Sequence, residues 1–280
     1  MRRLPVLETI RQAYGFTFAN LGAIIGVIWL PMVISTVAGF FVTQQYSAQI
    51  QAATASGNAA AAGPAVLVML VYLLAKLVLT AMMYVPVAQL VLGQRQGGAM
   101  LHFAFGALEW RMFRTLFGLM LFLLPPALLL VLAAQNVLAG GIAGTPPLRL
   151  LASELAFVAL YAGLMFVAVR VAALLVPIVV AEEKPALVRS WTLSAKNFWR
   201  LLGVLLGAAL PLVLVMAAIE LALLQAAGGD VGGSQIGLAS GPNAPLIAGL
   251  EFLMAPLLIG LTVSASVFAW KALSRTDLSV

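Results

Sequence analysis

The sequence predicts an all-α integral membrane bundle of six transmembrane helices with interfacial amphipathic helices. Three observations predict it. The chain is 63% apolar and only 9% charged, with a mean hydropathy of +1.10. Soluble chains run at about 45–50% apolar and about 25% charged, so a water-soluble fold is excluded. Six stretches are continuously apolar for the roughly 20 residues that a crossing of the hydrocarbon layer needs. Finally, lysine and arginine fall almost wholly into alternate connections, as the positive-inside rule requires.

The six spans read as about 19–42, 65–92, 115–138, 151–180, 201–225 and 246–273, within one transmembrane domain over 1–280. None alternates in and out, so β-barrel strands are not indicated. The first span begins behind an amphipathic leader and is too long for the apolar core of a cleavable signal, so it reads as retained. Connections 43–64 and 226–245 are rich in Gln, Ser, Ala, Asn and Gly and are expected to be mobile linkers. The glycine-rich run 228–233 belongs to the second of them.

With the amino terminus inside, the inner side carries Arg2, Arg3, Arg11, Arg95, Arg111, Arg114, Lys184, Arg189, Lys196, Arg200, Lys271 and Arg275. The outer side carries Arg149 alone. Both termini are therefore expected to be cytoplasmic in a bacterial inner membrane. The net charge of +6 reads as a topology signal, and no nucleic-acid partner is expected.

Proline interrupts every span: Pro31, Pro86, Pro125 with Pro126, Pro177, Pro211 and Pro256. Each deletes a backbone hydrogen bond, so a kinked bundle with an internal crevice is expected. Aligning Pro31, Pro126 and Pro211 brings Phe18, Phe113 and Phe198 into register, and Gly118 with Gly203. This suggests a three-fold repeat of interfacial helix, span, loop and return span.

The segment 181–200, AEEKPALVRSWTLSAKNFWR, can begin a helix at Pro185. Leu187, Trp191, Ala195 and Phe198 recur at helical spacing, opposite Arg189, Lys196 and Arg200. This describes a helix lying in the inner headgroup layer, its cations toward anionic lipid at about 1 kcal/mol each. Arg189, Trp191, Lys196, Trp199 and Arg200 are the candidate lipid-interface residues; the plainer alternative is an elbow that orients two spans. Trp110, Arg111 and Arg114 take a comparable place before the third span.

Within 169–206, Arg170, Pro177, Glu182 or Glu183, the RSW of Arg189–Trp191 and the NFWR of Asn197–Arg200 carry a resemblance. The run resembles a bacterial multi-span family that includes the membrane domain attached to some glycerophosphodiester phosphodiesterases, and stand-alone six-span proteins of unknown function. The resemblance implies a membrane module and no agreed activity. The esterase domain of the fused members is a separate unit and has no counterpart in this sequence.

Ionisable groups in mid-span cost about 2.5–3.5 kcal/mol on insertion scales and default to function. Lys76 and Arg170 lie at similar depth in return spans two and four. They are expected to face one internal cavity, with Glu154, Glu220 and Glu251 as acidic partners in a candidate intramembrane polar site. The alternative is ion pairing that only fixes helix packing. Enzyme chemistry is poorly supplied. The chain has no Cys and one His, His102, and both Asp residues, Asp230 and Asp277, lie outside the spans. No phosphate loop, catalytic triad, metal set or cofactor motif is present. Glu109 shares a helical face with His102, a pairing better explained by solvation. The expectation is a non-enzymatic inner-membrane module that organises lipids or a membrane-protein partner, or alternatively a small transporter or flippase-like carrier.

Overall fold

The computed structural model describes residues 4–55, 59–95, 105–140, 147–182, 185–226 and 244–274. The regular elements among them are helices: α1 (Val6–Ala19), α2 (Leu21–Ala55), α3 (Ala59–Leu92), α4 (Ala107–Gly140), α5 (Pro147–Ala172), α6 (Leu175–Ala181), α7 (Ala186–Ser194), α8 (Phe198–Ala226) and α9 (Ala244–Ser274). Six helical stretches are long and apolar enough to cross a membrane, one at each expected span, and they point to a multi-pass membrane protein. The physical reason is backbone accounting. A crossing segment finds no water for its N–H and C=O groups, and a helix satisfies all of them internally.

Consecutive spans pack as hairpins, α2 with α3, α4 with α5 and α8 with α9, and α9 returns to close on α2 and α3. The core lies toward one end, where Ile24, Ile28, Val85, Leu174, Ile178 and Leu201 are buried together. Here α1 packs on α8 and α9, and α7 packs on α5. Arg95, Arg111, Arg114, Arg189, Lys196, Arg200 and Lys271 all fall at this basic end. Large apolar side chains elsewhere point outward, Leu67, Leu128, Val158, Leu214 and Leu253 among them. In water these would be an aggregation surface; in lipid they are the solvated face.

Three expectations change. The described part of the connection 43–64 is helix and not a loose linker, since α2 continues to Ala55 and α3 begins at Ala59. Its alanines and glutamines are good helix formers, so propensity carries the helix past the apolar region. The glycine-rich run 228–233 lies outside the described residues. Where a helix ends inside a span is not set by proline either: helix runs through Pro31, Pro86, Pro125, Pro126, Pro211 and Pro256. The span that does break is the fourth, at Ala173 and Leu174, between α5 and α6. The third departure concerns the second hairpin. Whereas α1 and α7 are separate helices leading into α2 and α8, residues 107–114 are simply the first turns of α4.

Candidate functional site

A cavity of about 380 Å³ opens in the half of the bundle away from the basic end, between α2, α3 and α9. Met32, Met83 and Ile259 close its floor, and Thr43 and Ile247 mark its rim. Eleven or so residues of helix separate floor from rim, about 16 Å at 1.5 Å per residue. Lys76 from α3 and Glu251 from α9 line it midway, with Ser35, Thr36 and Tyr72. The Tyr72 hydroxyl donates to the Ser35 carbonyl at 3.4 Å, which fixes the ring across the α2–α3 contact. Only glycine fits opposite it: a Cβ on Gly39 would stand 2.5 Å from the Tyr72 oxygen. On the other side of Thr36, Phe40 and Ala248 lies a second, apolar crevice of about 400 Å³, lined also by Val37, Phe41 and Phe252.

Arg170 is elsewhere. It does not share the cavity with Lys76, which corrects the expectation of a common polar site. Its guanidinium lies 3.7 Å from the centre of the Trp191 ring and 5.5 Å from that of Phe166. Its Nη2 donates to the Trp191 carbonyl at 2.7 Å and its Nε to the Ser194 hydroxyl at 3.3 Å. The break between α5 and α6 explains why α7 is there. The Arg170 carbonyl accepts hydrogen bonds from Ser190 at 2.9 Å and Ser194 at 3.1 Å, so α7 supplies the donors that a continuous helix would have provided. Pro177, four residues past Ala173, removes a further amide donor at the same place.

The face of α7 that meets α5 is therefore Ala186, Ser190 and Ser194, all buried, and not the apolar stripe. Val188 and Trp191 are exposed at 65% and 39% and are left for the surroundings. The same rule holds in α1, whose buried residues are Thr9, Ala13 and Thr17 while Leu7 and Phe18 stand outside. Small residues let helices approach closely in a membrane bundle. The signal for this was visible as a small residue every fourth position, but the sequence reading named no face of α7 for packing on the protein.

Glu182 ties the basic end together. It pairs with Arg189 at 3.0 Å, accepts from the Trp270 indole at 2.8 Å, and its carbonyl accepts from Arg111. Arg189 is thus engaged within the protein through its Nε. Arg200 donates to the Leu4 carbonyl at 3.3 Å, and the Asn197 side-chain oxygen accepts from the Leu4 amide at 3.5 Å. Lys196 and Trp199 are exposed. Glu154 is exposed on α5, away from the cavity lining, and Glu220 is half-buried on α8. Glu109 accepts from the Gly106 amide at 2.9 Å and so caps α4, while His102 lies outside the described residues. Among the described residues no cluster of His, Asp and Glu could hold a metal ion. No family model, curated protein or solved structure matches the chain.

Proposed function

We propose that the chain is a non-enzymatic multi-pass module of a bacterial inner membrane, both termini cytoplasmic, that binds membrane lipid between α2, α3 and α9. The observation that carries this reading is the juxtaposition of a polar cavity holding Lys76 and Glu251 with an apolar crevice across a shared wall. Lipids are amphiphiles, and a cleft that is polar on one side and apolar on the other suits them. The resemblance of 169–206 to a family of membrane modules without agreed activity accords with a non-enzymatic role. On this reading the residues that carry the resemblance, Arg170, Pro177, Glu182, Trp191 and Asn197, are architectural, since they build the elbow rather than the cavity.

Native mass spectrometry of the purified protein tests the proposal. Wild-type protein is expected to retain lipid, and Lys76→Ala with Glu251→Ala to lose it. A wild-type protein stripped of lipid by mild detergent as fast as any peripheral annulus would count against it.

A carrier is the second reading, favoured by one observation. Each helix that walls the cavity contains a proline near its floor: Pro31, Pro86 and Pro256. These frees one carbonyl per helix and gives three adjacent points of low bending cost. Transfer of a fluorescent lipid between leaflets of reconstituted vesicles separates carrier from static binder.

A further inference from the structure

The charges about the cavity say which kind of lipid it takes. Lys76 on α3 and Glu251 on α9 both line it. One cation and one carboxylate therefore share the space. A ligand that carried only negative charge would be attracted by Lys76 and repelled by Glu251. A ligand that carried only positive charge would meet the reverse. A zwitterion satisfies both: its anion neutralises Lys76, and its cation neutralises Glu251. The hydroxyls of Ser35, Thr36 and Thr43 also line the cavity, and hydroxyls serve phosphate oxygens well. The apolar crevice behind Thr36, Phe40 and Ala248 has no use for a water-soluble zwitterion but suits an acyl chain.

Resting on the lipid-binding reading above, we infer that the cavity is an aminophospholipid site, with phosphate at Lys76, the headgroup ammonium at Glu251, and an acyl chain in the crevice lined by Val37 and Phe41. Because the cavity lies in the half of the bundle away from the basic end, this lipid comes from the leaflet opposite that end.

The test uses full-length protein in detergent, exchanged against vesicles of equal parts dioleoyl phosphatidylethanolamine and dioleoyl phosphatidylglycerol, and read by native mass spectrometry. Wild-type protein should retain the ethanolamine lipid in about tenfold preference, equivalent to about 1.4 kcal/mol. Glu251→Gln, nearly isosteric, should abolish the preference while lipid remains bound. Lys76→Met should weaken retention of both lipids. Excess glycerophosphoethanolamine, which has the headgroup and no tails, should fail to displace the lipid. Equal retention of the two lipids by wild-type protein, or displacement by the soluble headgroup, would overturn the aminophospholipid assignment while leaving a binding site. Retention of neither lipid would overturn the lipid-binding reading itself. The wild-type competition needs no variant, so a misfolded substitution cannot decide the outcome; elution volume and helicity matching wild type qualify each variant.

Discussion

Arg170 shows how a charge is kept inside a membrane protein with no counter-ion among the described residues. Its plane lies on Trp191 and its donors are taken by the Trp191 carbonyl and the Ser194 hydroxyl. Lysine could not reproduce this, because an ammonium has neither the plane nor the fork of donors. Arg170→Lys is therefore expected to lower the apparent Tm in detergent, nearly as far as Arg170→Met. The same residue's carbonyl gives a second, cleaner test. Ser190→Ala with Ser194→Ala strips both hydroxyl donors from a buried acceptor, at about 1–3 kcal/mol. Either change alone should cost much less, since one donor remains, and thermal unfolding of the three variants reads the difference. Gly39 makes an opposite case. Gly39→Ala pushes the Tyr72 ring off the Ser35 carbonyl, in the cavity and not in the core. Retained lipid should fall severalfold in native mass spectra with little change in Tm.

At the scale of elements, the elbow formed by α5, α6 and α7 is held by Glu182 at the basic end, far along the bundle from the cavity. Glu182→Ala removes the partner of Arg189 and of the Trp270 indole together. Amide exchange across 186–194 should quicken, while lipid retention in the cavity stays at the wild-type level. Loss of both would mean that elbow and cavity are one cooperative unit. The six spans were legible from hydropathy because a crossing helix must be apolar along its whole length. Their ends were less so. Alanine and glutamine continue a helix beyond the hydrocarbon as readily as leucine does within it, which is why 43–55 looked like a linker. Proline did not mark the place where a helix ends. A missing N–H is tolerated in five of the spans, and only where two serines of α7 capture the Arg170 carbonyl does the helix part. The buried face of α7 was missed because the sequence reading sorted its residues only into an apolar and a basic stripe for the membrane surface, although for soluble helices bulky apolar residues go inside. In lipid that preference vanishes, and Ser190 and Ser194 win the interior through close approach and hydrogen bonding.

The whole molecule has its packed core toward the basic end and its cavity toward the other, so access is a property of the entire bundle. The two intramembrane cations make this measurable. They lie at similar depth by residue count, and hydropathy alone cannot tell them apart. Their surroundings differ: Lys76 is exposed and lines the cavity, while Arg170 is 9% exposed beneath Trp191. The chain contains no cysteine, so a single introduced thiol reports without background. Lys76→Cys should react with a membrane-impermeant maleimide added from the side opposite the basic end. Arg170→Cys should stay unlabelled from either side until the protein is unfolded. Aminophospholipid added in excess should slow the labelling of Lys76→Cys, because headgroup and reagent compete for one space. Labelling of both thiols at equal rates would mean that water reaches the elbow and that the polar groups form a single site. Labelling of Lys76→Cys only from the basic end would reverse the orientation of the cavity, and with it the leaflet from which its lipid is drawn.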